Sequence, residues 1–157
     1  MITCPITPRM IAKAEKQALE IGHLKNSITS GEGNISGMLG EIIAAYFLCA
    51  QQSPTYNYDL IMLNGATVDV KTKRTTATPK PHYECSVAEY NLTQECDYYA
   101  FVRVHSSMTK GWYLGRKTKD DFFRLARAIK KGDKDGDNGF IVKADCRNIK
   151  ISELDIP

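Results

Sequence analysis

The chain has no apolar run approaching the ~20 residues a helix needs to cross a bilayer, so no membrane partner is expected. It has no C-x-x-C pair either. Cys4, Cys49, Cys85, Cys96 and Cys146 are an odd number at wide spacings, which argues against a zinc site and for reduced thiols. No signal peptide opens the sequence, and together with the thiols this predicts a cytoplasmic protein, as in a bacterial or phage-infected host cell. A large excess of charge is also lacking: a net charge of +3 permits nucleic-acid binding without demanding it. His23, His82 and His105 are scattered, with no neighbours that would make a nucleophilic triad visible. There is no internal repeat and no low-complexity tract. What is present fits one globular domain over 1–157 with a real core, 43% hydrophobic and 25% charged.

The chemistry concentrates in residues 57–76. Residues 58–63 and 67–73 are apolar or β-branched enough to be strands, and Asn64-Gly65 between them is a hairpin signal. Asp59 then falls near the start of one strand and Asp69 within the next. Alternation puts Asp69, Lys71 and Lys73 on one face and Val68 and Val70 on the other. Two carboxylates beside a lysine suit a hard cation next to an anion, since Mg²⁺ takes one or two carboxylates plus waters and phosphate oxygens. A mixed-charge, solvent-facing strand is the plainer reading of D-x-K by itself.

An acidic residue upstream tips the balance. Residues 36–51 read as a buried helix capped by Ser36, with Glu41 the one charge in an apolar interior. A buried glutamate needs a partner or a metal. Gly37 and Gly40, at the start of that helix, would let it approach the sheet closely and carry Glu41 toward the strand carboxylates.

The order Glu41 on a helix, Asp59 on a strand, then Asp69-Val70-Lys71 on the next strand resembles the PD-(D/E)XK nuclease superfamily over residues 36–87. Tyr58 stands where the "PD" half has its proline. The resemblance implies an α/β fold with a restriction endonuclease-like core, a mixed β-sheet of about five strands flanked by helices. It also implies a Mg²⁺-dependent deoxyribonuclease, with Mn²⁺ able to substitute. Asp59, Asp69, the Val70 carbonyl and Glu41 would hold the metal, and Lys71 would serve the reaction. A homodimer would suit the cutting of two strands.

Elsewhere, residues 8–24 predict an amphipathic first helix ending near Gly22, and 26–37 a flexible connector or closing loop. Residues 74–81 are basic and close on two prolines, which argues against a central strand. Lys73, Arg74 and Lys80 are candidates for DNA backbone contacts, or else belong to a solvated basic loop. Residues 82–90 predict a third strand with Glu84 or Ser86 as an accessory to the site, 97–105 an interior strand, and 117–131 a helix capped by Thr118. Asp133, Asp135 and Asp137 take the first, third and fifth places of an EF-hand loop, with Phe140 at the eighth. Asn138 replaces its glycine and Ala144 its bidentate glutamate, so 133–139 reads as a polar turn. Competing with a nuclease are a catalytically inactive nucleic-acid-binding module of the same fold and, on that loop alone, a calcium-responsive interaction protein.

Overall fold

The computed structural model describes residues 1–21, 34–53, 55–91, 93–134 and 141–156, and over these the chain is a mixed α/β protein. Six strands form one sheet: β1 (Ile2–Pro5), β2 (Gln51–Gln52), β3 (Leu60–Ile61), β4 (Thr67–Thr75), β6 (Tyr98–His105) and β7 (Lys110–Thr118), in spatial order β1-β7-β6-β4-β3-β2. Only β4 and β6 in this sheet run parallel, paired from Val68↔Tyr98 to Thr75↔His105. Parallel neighbours need a crossover. Here the crossover carries β5 (Glu84–Ala88) into a second sheet, where it pairs with β9 (Cys146–Lys150), itself beside β8 (Arg127–Ile129). The helices are α1 (Pro8–Ile21), α2 (Asn34–Leu48) and α3 (Lys119–Leu125).

The central strand β6 explains the layering. Ala100, Val102 and Val104 join a core with Leu39, Ile43, Val68 and Val70, under α1 and α2. Tyr99 and Phe101 point the other way, into a core with Phe122, Trp112, Val87 and Ile149 beneath the second sheet. A strand covered on both faces reads as an unbroken apolar run, as residues 98–104 do apart from Arg103. Each fully buried Leu39 or Ile43 contributes about 2–3 kcal/mol through its area alone.

Helix α2 lies hard against β4. A Cβ on Gly40 would sit 1.8 Å from Thr72 Oγ1 and 2.8 Å from its Cβ, whereas one on Gly37 would meet nothing within 4 Å. Gly40 therefore provides the expected close approach and Gly37 does not. Thr72 is stiff at χ1, so the overlap can be relieved only by moving strand or helix. Gly40→Ala is expected to destabilise by about 1–3 kcal/mol, with Gly37→Ala neutral or stabilising. Urea denaturation of both variants checks this, and equal effects would remove the contact as the cause.

Several sequence expectations need correction. The hairpin at Asn64-Gly65 forms, but β3 is only two residues long. Gly65 takes φ +84° while Asn64 does not enter that region. Gly65 N–H bonds Met62 O at 2.9 Å and Met62 N–H bonds Ala66 O at 2.8 Å, so the loop has three residues rather than two. Helix α2 begins at Asn34, two residues before the expected Ser36 cap, whose buried hydroxyl has no hydrogen-bond partner among the described residues. Residues 74 and 75 remain in β4, paired to Val104 and His105, and the two prolines, at 79 and 81, fall after the strand has ended. The predicted third strand exists but sits in the second sheet. Thr118 caps α3 as expected, accepting from Asp121 N–H at 3.1 Å. That helix ends at Leu125, and Arg127–Ile129 pairs with β9 instead. Gly22, His23, most of the 26–37 connector and the loop positions Asp135, Asp137, Asn138 and Phe140 lie outside the described residues.

Candidate functional site

The site lies where β4 loses its outer neighbour. Strand β3 pairs with β4 only at Leu60↔Val68 and Ile61↔Thr67. Beyond Val68 the outer edge of β4 has no strand partner among the described residues, and unpaired backbone groups are costly in an interior. Asp59, just before β3, answers one of them: its Oδ2 accepts from Val70 N–H at 2.7 Å. The N–H and C=O of one strand residue point to the same side, so the Val70 carbonyl faces the same opening.

Asp69 and Lys71 are neighbours on one face of β4. Asp69 is 3% exposed, so the charged face is covered at this end, while Lys73 on the same face is exposed. Lys71 Nζ lies 2.7 Å from Asp69 Oδ2 as an ion pair, yet this buried oxygen has no aligned hydrogen bond. Glu41 enters from α2, 7% exposed, and its Oε2 accepts from Gln52 Nε2 at 3.4 Å. Gln52 Oε1 accepts in turn from Gln17 Nε2 of α1 at 3.2 Å.

The three carboxylates feel one another. Burial first, then the charges of Asp69 and Glu41, push Asp59 well above the usual carboxylate range, against the opposing Val70 N–H and Lys71. Glu41 is pushed up to about 7, by burial and then by Asp69, with the Gln52 hydrogen bond and Lys13 acting the other way. Cys96 nearby is pushed up to about 11 by burial and Asp69, and so is a neutral thiol in the metal-free protein.

The four residues singled out from sequence, Glu41, Asp59, Asp69 and Lys71, thus belong to one electrostatic cluster built from three elements. Among the described residues the cluster holds three acids beside the Lys71 ammonium, with Lys13 of α1 also acting on Glu41. Three carboxylates and a buried Asp69 oxygen without an aligned hydrogen bond are the kind of oxygen donors a hard divalent cation takes. Asp59, Asp69 and Glu41 would hold it with the Val70 carbonyl. Among the described residues no three His, Cys, Asp or Glu side chains are arranged as they stand to hold a metal ion. Asp59 is turned to Val70 N–H and Asp69 to Lys71, so a cation would compete with both.

Comparison with known proteins adds no further constraint: no family model matches the chain, and no curated protein matches it.

The other candidates divide. Lys73, Arg74 and Lys80 are exposed, with Lys73 and Arg74 on the far half of β4 from Asp69. Glu84 is not an accessory to the site. Its carboxylate is bound by Arg127 at 2.6 Å and Asn148 at 2.7 Å within the second sheet. Ser86 is exposed and paired to Asn148 on β9. Asp133 Oδ2 accepts from Lys130 N–H at 2.9 Å, an ordinary turn bond, and the loop's other aspartates are outside the described residues. Sequence reasoning missed Gln52, Gln17 and Gln94. Gln94 Oε1 accepts from Lys71 Nζ at 3.3 Å, and nothing in its polar local sequence distinguishes it.

Proposed function

We propose that the protein is a metal-dependent nuclease with a restriction endonuclease-like core, hydrolysing DNA phosphodiester bonds as an endonuclease in DNA processing, recombination or repair. The observation that carries this is the meeting of Glu41, Asp59, Asp69 and Lys71 at the open edge of β4. The order of elements agrees with the PD-(D/E)XK pattern: a helix bearing the glutamate, a hairpin bearing both aspartates, and a strand parallel to the second hairpin strand. A bound Mg²⁺ or Mn²⁺ would lower the pKa of its water and neutralise phosphate charge.

The chain's own groups have separable tasks. Asp59 and Asp69 supply the negative charge that holds the cation. Glu41 adds to that charge and joins the cation directly or through a bound water. The Lys71 ammonium faces the phosphate oxygens on which charge builds in the transition state, in an environment that magnifies its effect. Lys73, Arg74 and Lys80 would meet backbone phosphates, fixing register without reading sequence.

Purified protein incubated with circular and linear DNA, in Mg²⁺, Mn²⁺ and chelator, tests the reading. Cleavage of both forms with either metal and none with chelator is expected. Cleavage of circles identifies an endonuclease. DNA binding without cleavage in any metal would replace the proposal by the inactive nucleic-acid-binding module.

A further inference from the structure

Gln94 touches three separate segments, and we infer that it is a positioning residue for Lys71, holding the ammonium on a fixed bearing from Asp69 while leaving one N–H free for a phosphate oxygen. The inference rests on the nuclease reading for the identity of that oxygen, but the tether itself is independent of it. A glutamine amide can turn either end toward a neighbour. Here the choice is fixed. Gln94 Nε2 donates to the backbone carbonyl of Tyr56 at 2.7 Å, so Oε1 must be the atom facing Lys71, 3.3 Å from Nζ. The main chain at the same residue is anchored as well, since Lys119 Nζ donates to the Gln94 carbonyl.

The consequence is geometric. A lysine ammonium has three donors on a flexible stem and no preferred direction of its own. Asp69 Oδ2 at 2.7 Å draws it down toward the buried acid. Held by that contact alone, the ammonium would be free to pivot about the carboxylate oxygen it already touches. Gln94 supplies a neutral second acceptor on another side. A neutral amide directs the ammonium without adding a fourth negative charge to a cluster already crowded with three. The Tyr56 anchor lies three residues before Asp59 in the chain, so the same amide ties the Asp59 segment to the lysine of β4.

The test compares the parent with Gln94→Leu, of similar size without polar atoms, and Gln94→Glu, which keeps an acceptor for Lys71. Two measurements are made on the full chain. The first is acetylation of each lysine by an amine-reactive ester, read by peptide mass spectrometry. Lys71 labelling should rise several-fold in Gln94→Leu, with Lys73 and Lys80 unchanged, and fall back in Gln94→Glu. The second is steady-state DNA cleavage. Gln94→Leu should lower kcat about 10- to 100-fold, the scale of a small misplacement of a reacting group, with KM nearly unchanged and partial recovery in Gln94→Glu. Unaltered Lys71 labelling in Gln94→Leu overturns the inference. So does an equal loss of activity in both variants with Lys71 and Lys119 labelling rising together, which marks a packing role. If the parent itself cleaves nothing, the nuclease reading fails and the labelling result alone decides the tether.

Discussion

Replacing Lys71 with methionine is expected to slow single-turnover DNA cleavage by about 10²- to 10³-fold, the loss that follows removal of one donor aimed at developing charge. The side chain sits at the boundary of the site, 19% exposed, with Asp69 almost sealed beneath it at 4%. That arrangement complicates the experiment. Removing one member of a buried pair leaves the other charge uncompensated, at about 3–5 kcal/mol where both are fully buried. Lys71→Met therefore loses stability as well as a donor, and its rate has meaning only below its own melting transition. Lys71→Arg separates the two effects. The guanidinium keeps the charge beside Asp69, so stability should hold close to the parent, while its planar fork presents donors in a different geometry from a compact ammonium. At least a tenfold slower rate at parent-like stability is expected. Circular dichroism melts with cleavage at saturating DNA give both quantities. Should folded Lys71→Met cut at the parent's rate, the lysine has no part in the reaction, whatever else the protein does.

How much of this was legible beforehand depends on how local the cause is. Glu41 stood out because an isolated charge in an apolar helix has few physical explanations, and the D-x-K spacing placed Asp69 and Lys71 on one face through the two-residue period of a strand. Asp59 needed only the hairpin. Each of these inferences uses neighbours within about ten residues, a span over which secondary-structure periodicity is a reliable guide. The second sheet was not legible in the same way. Residues 84–88 have a sound strand pattern, but whether they pair with β6 or with β9 is decided about sixty residues downstream. The end of α3 failed for a related reason. Arg124, Arg127, Lys130 and Lys131 look like one basic helical face, and only the pairing of Arg127–Ile129 with β9 shows otherwise. The burial of Asp69 was also hidden. Alternation told which way it points, and only the crossover told that this side is covered. The glutamines are the extreme case. Gln52 and Gln94 matter because of which carboxylate and which ammonium they reach, and a side-chain amide carries no sign of its partner.

Glutamine at position 41 should make the protein more stable at pH 8, by about 3 kcal/mol, while abolishing most of its cleavage. The size follows from the folded protein holding Glu41 at about 7 against an ordinary 4.5, a difference of some 2.5 pH units at about 1.4 kcal/mol each. The sign follows from proton counting. Below pH 4.5 both folded and unfolded chains carry the proton, and burial costs no charge. Between pH 4.5 and 7 the unfolded chain releases it while the folded chain keeps it, so unfolding is favoured as pH rises. Above 7 the folded chain also ionises and the loss is complete. Asp59, raised for the same reasons, adds a contribution of the same sign. Glu41→Gln keeps an amide oxygen for Gln52 and removes the ionisation, so its advantage should be small at pH 5 and full at pH 8, as urea denaturation at the two values would show. Divalent metal should narrow the gap at pH 8 by stabilising the parent, about 2.7 kcal/mol at a hundred times Kd, and not the variant to the same degree. No advantage for the variant at pH 8 would mean that the carboxylate is better solvated or better paired than Gln52 and Lys13 make it. If the advantage is present and metal offsets it, the charge of Glu41 weakens the empty fold and is compensated by the cation it binds. A purely structural glutamate would show the opposite, losing stability on conversion to glutamine and showing no response to metal.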